Sequence, residues 1–177
     1  EEVYALEATG QLLKMRLVNG EFLESDQLGM QPTGMLISDD YVIAVLGSEQ
    51  LFVRHPGGEP MSVGISSVVT LGFGPTGGSL GLGKDTGTFY VVDPVTGGAW
   101  GSVDVGGPVG GVAGSAQQYW LVGVGHHIHT ISGDCSHILE SMDVEGNIQS
   151  LAASKDGSIV AVLTSNTHVR IFEWLNK

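Results

Sequence analysis

Cysteine is almost missing from this 177-residue chain. Cys135 stands alone, so no internal disulfide can form and nothing supports a small secreted scaffold held by bridges. Basic residues are scarce as well: seven Lys and Arg face nineteen Asp and Glu, a formal charge of −12. That balance argues against direct nucleic-acid binding, which neutralises phosphates with clustered Lys and Arg. No apolar run approaches the roughly 18 residues of a membrane-spanning helix, so no membrane insertion is expected. Neither a signal nor a transit pattern is visible; the expectation is an intracellular protein, with export open only to a chain whose amino terminus has been processed. Helical periodicity is lacking too: no window holds apolar spacing of 3–4 residues for long, and 28 glycines are spread along the chain. The length suits a single domain with a real core.

What is present recurs. Gln11-Leu-Leu-Lys-Met, Gln50-Leu-Phe-Val-Arg, Thr88-Phe-Tyr-Val-Val, His127-Ile-His-Thr-Ile and His168-Val-Arg-Ile-Phe are short apolar runs after a polar residue, and their first residues lie 39, 38, 39 and 41 apart. The third unit shows the grammar best. Val68-Val-Thr-Leu-Gly-Phe73, Ser79-Leu-Gly-Leu-Gly83, Phe89-Tyr-Val-Val92 and Trp100-Gly-Ser-Val-Asp-Val105 read as four strands, separated by Gly-Pro, Asp-Thr-Gly and Asp-Pro turns. The other units follow the same order with three, four, four and three strands, eighteen in all.

Equal repeats of short strands predict an all-β β-propeller of about five four-stranded blade units, the first and last incomplete. The units run approximately 1–29, 30–66, 67–106, 107–146 and 147–177 of a single domain 1–177. The first unit lacks a first strand and the last a fourth, so the chain reads as part of a larger propeller. The start on Glu1 rather than Met agrees with that reading. A β-sandwich also has short strands at 8–12-residue spacing, but it requires no equal repeat length.

Ser154-Lys-Asp-Gly157, Ile159-Val-Ala-Val-Leu-Thr-Ser165 and His168-Val-Arg-Ile-Phe172 resemble a WD40 repeat, over roughly residues 148–174. Elsewhere the pattern departs from that family: no Trp-Asp closes a third strand, and Gly125-His126 sits at the wrong place in its blade. The third unit, with Phe89-Tyr-Val-Val-Asp-Pro-Val-Thr-Gly97, is similar instead to YVTN and quinoprotein-type propellers. The WD40 resemblance implies a platform for protein contact within a larger assembly, and no catalytic residues.

Candidate chemistry is thin. His126-His127-x-His129 is the one metal-like cluster; on a strand His127 and His129 share a face, and a third or fourth ligand would have to come from elsewhere, with His137 and His168 as candidates. With no carboxylate or Cys spacing to complete it, the blander reading is a turn and strand start with exposed histidines. The turns at 84–87 and 154–157 hold one carboxylate each, too few for Ca²⁺. The glycines at 77–83 lack the Gly-Lys-Ser/Thr ending and following helix of a phosphate loop, and close backbone approach near the propeller axis explains them better. Residues 111–115 do not have the spacing of a serine-hydrolase elbow. Asp39 and Asp40 are adjacent, on opposite faces of any strand, and cannot share acid–base work. Cys135, in a turn, has His137 nearby as a possible activator, but a passive thiol is the simpler reading.

The contact residues expected are Arg54, Trp100, Trp120, Arg170 and Trp174, because Trp and Arg dominate interface energetics. Most aromatics should still pack between blades. Arg54 and Arg170 are expected to pair with turn carboxylates such as Asp39 or Asp156. No cofactor is expected. The function expected is a non-catalytic scaffold contacting other protein subunits of a complex; the alternative is a ligand-, metal- or cofactor-binding propeller of the quinoprotein or YVTN type.

Overall fold

A computed structural model describes residues 2–58, 60–74, 78–115, 119–154 and 156–174. Glu1, Lys155 and residues 75–77 of the Gly-Pro turn fall outside them. The eighteen strands expected are present, and they form five antiparallel meanders. The first sheet holds β1 (Glu2–Leu6), β2 (Gln11–Arg16) and β3 (Phe22–Gln27). The second holds β4 (Pro32–Ile37), β5 (Ile43–Gly47), β6 (Gln50–Arg54) and β7 (Met61–Gly64). The third holds β8 (Val68–Phe73), β9 (Leu80–Lys84), β10 (Thr88–Val92) and β11 (Ala99–Asp104). The fourth holds β12 (Val109–Ser115), β13 (Tyr119–Val124), β14 (His127–Ser132) and β15 (Ile138–Asp143). The fifth holds β16 (Ile148–Ala153), β17 (Ile159–Thr164) and β18 (Val169–Glu173). The five repeated runs thus fall on β2, β6, β10, β14 and β18, the third strand of each unit. The architecture is an incomplete β-propeller, and no described helix is long and apolar enough to cross a membrane.

Alternation along the third strand builds the core. Its second and fourth positions face the following sheet: Leu12 meets Ile43 and Val45, Leu51 and Val53 meet Val68 and Leu82, Phe89 and Val91 meet Val109 and Trp120, and Ile128 meets Ile148 and Val160. Four apolar clusters result, one at each junction between successive sheets; among the described residues none joins the first sheet to the fifth. In the fifth sheet the same positions hold Val169 and Ile171, which are 65% and 71% exposed, because no described sheet covers that face.

Glycines let the sheets approach. A side chain at Gly81 would lie 2.6 Å from the Trp120 ring and 2.9 Å from Phe89, and one at Gly111 would lie 2.6 Å from the Leu151 amide. Contact between neighbouring sheets, and not only crowding at the axis, therefore accounts for Gly81 and, against Val109, for Gly83. A β-bulge recurs at the second residue of every inner strand, shifting register at Thr33, Val69, Gly110 and Gln149. Bulges of this kind bend a strand and re-aim one side chain.

Candidate interaction face and histidine cluster

Because every sheet is an antiparallel meander, the disc has two distinct faces. One carries the sheet-to-sheet connections and the turns between second and third strands; here it is termed the connector face. The other carries the turns leaving first and third strands. Backbone bonds fix the connectors: Leu28 N–H donates to Gly10 O (2.9 Å), Val105 N–H to Gly87 O (2.8 Å) and Ile148 N–H to Gly125 O (2.6 Å).

Exposed large apolar side chains are unevenly shared between the faces. Apart from Val69, Val169 and Ile171, all of those described lie on or beside the face opposite the connectors. They include Leu17 and Val18 in the β2–β3 turn, Tyr41 before β5, Val95 in the β10–β11 turn, and Trp100 and Leu139 at the starts of β11 and β15. Trp100 is 57% exposed and is the extra residue of a bulge, since Val91 pairs Gly101 while Val92 pairs Ala99. Leu139 occupies the same bulge in β15, where Thr130 pairs Glu140 and Ile131 pairs Ile138. An outer-strand bulge thus presents an apolar side chain on this face in both the third and fourth sheets.

Carboxylates stand among these side chains. Asp93 is held below the usual carboxylate range chiefly by the Val95 amide, which donates to its Oδ1 at 2.7 Å. Asp134 is lowered to about 2 by the hydroxyl of Ser132 and by the amide and hydroxyl of Ser136. Asp156 is lowered to about 2 in the same way by Ser154 and Ser158. The two turns share the pattern Ser-x-Asp-x-Ser, so both charges persist well into acid.

Recesses open between the sheets among the described residues. A cleft of about 700 Å³ between the first and second sheets is lined by Tyr4, Lys14, Tyr41, Arg54 and His55 among others. One of about 440 Å³ lies between the second and third sheets, against Leu51, Ile65, Leu82 and Tyr90. The third, about 320 Å³, runs along the inner strands β4, β8, β12 and β16, and no ionisable side chain lines it.

The residues singled out from sequence part company. Trp100 is exposed as required of a contact residue. Trp120 is not: it is 3% exposed, stacked at a tilt on Phe89 with ring centroids 5.5 Å apart, and belongs to the core because β13 is buried on both faces. Trp174 packs against the cluster between the fourth and fifth sheets. Neither arginine pairs with Asp39 or Asp156. Arg54 binds Glu24 (2.5 Å) and Asp26 on β3, and Arg170 binds Glu145 in the connector after β15. Each reaches back to the preceding sheet, which is where odd positions of the third strand point. Cys135, buried with φ near 57°, has its thiol pushed up to about 12 by burial and by Asp134. His137 does not activate it; its Nδ1 lies 2.6 Å from Ser136 Oγ.

The histidines sit on the connector side of the fourth sheet. His127 and His129 share a face as expected, rings 5.9 Å apart, but neither His137 nor His168 joins them. The third group is Asp143, directly opposite His127 in the β14–β15 ladder, with Oδ1 2.6 Å from His127 Nδ1. His126 completes the set from the turn, its ring 3.9 Å from that of His127. One ligand atom each from His126, His127 and Asp143 all lie within 4.8 Å of one another. His129 Nδ1 lies 2.7 Å from Ser141 Oγ, and burial, then the neighbouring His127, hold His129 below the usual imidazole range. Counting outward from the turn between third and fourth strands pairs position 127 with 142, and the bulge at Leu139 moves the partner to Asp143.

No protein-family model matches the chain, and no curated protein matches it in sequence. Among solved structures 1461 chains match, so the likeness alone selects no partner. One is a chain in the crystal structure of the mitotic checkpoint complex, with a TM-score of 0.83 and 14% identity, over 99% of this chain and 59% of that one. The class is therefore that of the β-propellers, and the likeness at this identity is one of fold. This chain spans about three-fifths of that chain's length.

Proposed function

We propose that this propeller is a non-catalytic docking platform that binds another protein through the face opposite its connectors. The observation that carries the reading is the one-sided display of apolar side chains, with Trp100 lifted on its bulge and acidic turns between. Clustered exposed apolar groups mark interaction surfaces, and a partner offering Lys or Arg among apolar side chains fits this mixture. The rigid meanders hold the contact residues in place before binding, so little ordering entropy is lost on association. The WD40 resemblance of residues 148–174, and a structural neighbour that is part of a multi-protein complex, agree with membership of an assembly. The blade units 1–29, 30–66, 67–106, 107–146 and 147–177 then act as one module within a larger propeller. Trp174 and Arg54 flank the face and are placed at its rim in this reading. Trp120 supports it only from within.

The test is affinity purification of the full-length protein from its native source, followed by mass spectrometry of co-purifying chains. Trp100→Ala combined with Val95→Ser should release the partner, while Val69→Ser on the connector face should retain it. Partners lost with Val69→Ser and kept by the Trp100 variant would overturn the assignment of the face. A protein that purifies alone would overturn the docking reading itself.

A further inference from the structure

We infer that His126, His127 and Asp143 form a binding site for a single divalent transition-metal ion of the zinc class. Two imidazoles and one carboxylate are the donors that select Zn²⁺, Co²⁺ or Ni²⁺ over Mg²⁺ and Ca²⁺, which prefer oxygen throughout. The three residues come from separate local structures that the ladder locks together. His127 opens β14, Asp143 closes β15 directly opposite, and His126 sits in the turn before β14.

The backbone around them is held as well. Val144 N–H donates to His126 O at 2.8 Å and Ile148 N–H to Gly125 O at 2.6 Å, tying the turn to the connector that follows Asp143. The donor atoms lie within 4.8 Å of one another, whereas ligands on a tetrahedral ion with bonds of about 2.0–2.1 Å stand roughly 3.4 Å apart. Contraction at the widest pair is thus at most about 1.4 Å, within the reach of side-chain rotation because His126 and Asp143 are both exposed. Three protein donors leave at least one position for water or for a group from another molecule, as in open metal sites. His129, stacked beside His127 and engaged with Ser141, is packing and not a ligand. The site lies on the connector face, away from the proposed docking surface, so the two readings fail or succeed separately.

Calorimetric titration of the purified protein with Zn²⁺, paired with the visible absorption of Co²⁺, tests this. One ion per chain is expected, with displacement of Co²⁺ by Zn²⁺ and a rise in melting temperature in excess metal. His126→Ala, His127→Ala and Asp143→Asn should each weaken binding at least about tenfold, a loss that removing even an outer-shell partner brings. His129→Ala and His168→Ala should leave it within about threefold, the loss being smaller than that outer-shell effect. All five side chains are partly or largely exposed, and circular dichroism of each variant checks the fold. A wild-type affinity no tighter than that of a His126→Ala/His127→Ala double variant sinks the site. Binding that survives Asp143→Asn but is lost with His129→Ala would relocate it and overturn this ligand set.

Discussion

Thr130 carries the one described buried side-chain oxygen without a hydrogen-bond partner. It occupies the fourth position of its third strand, where the second and third sheets place Val53 and Val91. Thr130→Val keeps the shape and removes an unsatisfied hydroxyl, whose burial costs about 1–3 kcal/mol. Chemical denaturation should find the variant more stable by about 1 kcal/mol on that scale. Asp134 and Asp156 make the opposite case, being charged groups with donors built around them. Their folded values, about 2, lie below the ordinary 3.8, so the stability they add is complete above that ordinary value and lost as pH falls through the folded one. Asp134→Asn and Asp156→Asn should therefore melt below the wild type at neutral pH, and the gap should close between about pH 4 and pH 2. A gap that stays constant across that window would show that the serine cradles do not act through charge. The burial of Cys135 has a simpler readout: an alkylating reagent should modify it only after unfolding, since the thiolate is the reactive form.

At the level of strands, position within the repeated run decides what a side chain does. Trp120 is enclosed by Phe89 and Gly81 across the third junction, and Trp120→Ala should cost about 3–5 kcal/mol by denaturant titration. Ile171 has the same apolar character and a core position in the repeat, but no described sheet covers it. In residues 1–177 taken alone, Ile171→Ser should change stability by no more than about 0.5 kcal/mol. The strands themselves were legible because the polar-apolar run returns every 38–41 residues and turn residues punctuate it. Side-chain partners were less so. The pairings of Arg54 with Glu24 and Asp26, and of Arg170 with Glu145, cross from one sheet to the one before it, and the sequence spacing of 25–30 residues gives no local signal. Trp120 was misplaced among contact residues because an aromatic on a strand looks the same from sequence whether one or both faces are covered. The His127–Asp143 pair was hidden for another reason: register follows from strand pairing, and the bulge at Leu139 shifts the count by one. The apolar face opposite the connectors emerges only when turns from all five sheets are set side by side.

Across the whole molecule, stability is shared between neighbours. Each sheet is one continuous stretch of chain, and each apolar cluster joins only successive sheets. Such arrays behave as units plus nearest-neighbour contacts. Amide exchange should accordingly be slowest in β9, β10 and β13, whose sheets are packed on both sides, and faster in β1 and β18, whose sheets each have one described neighbour. Uniform protection across all five sheets would contradict this gradient. The uncovered Val169–Ile171 side of β18 has a mechanical consequence as well. Drawn out by the two ends of residues 1–177 taken alone, the chain would peel from the outermost sheets inward, each release freeing a segment of about 39 residues. Extended at about 3.4 Å per residue, that is a step of roughly 130 Å. A force trace would then show a staircase, not the single rupture expected of a core in which every element touches every other.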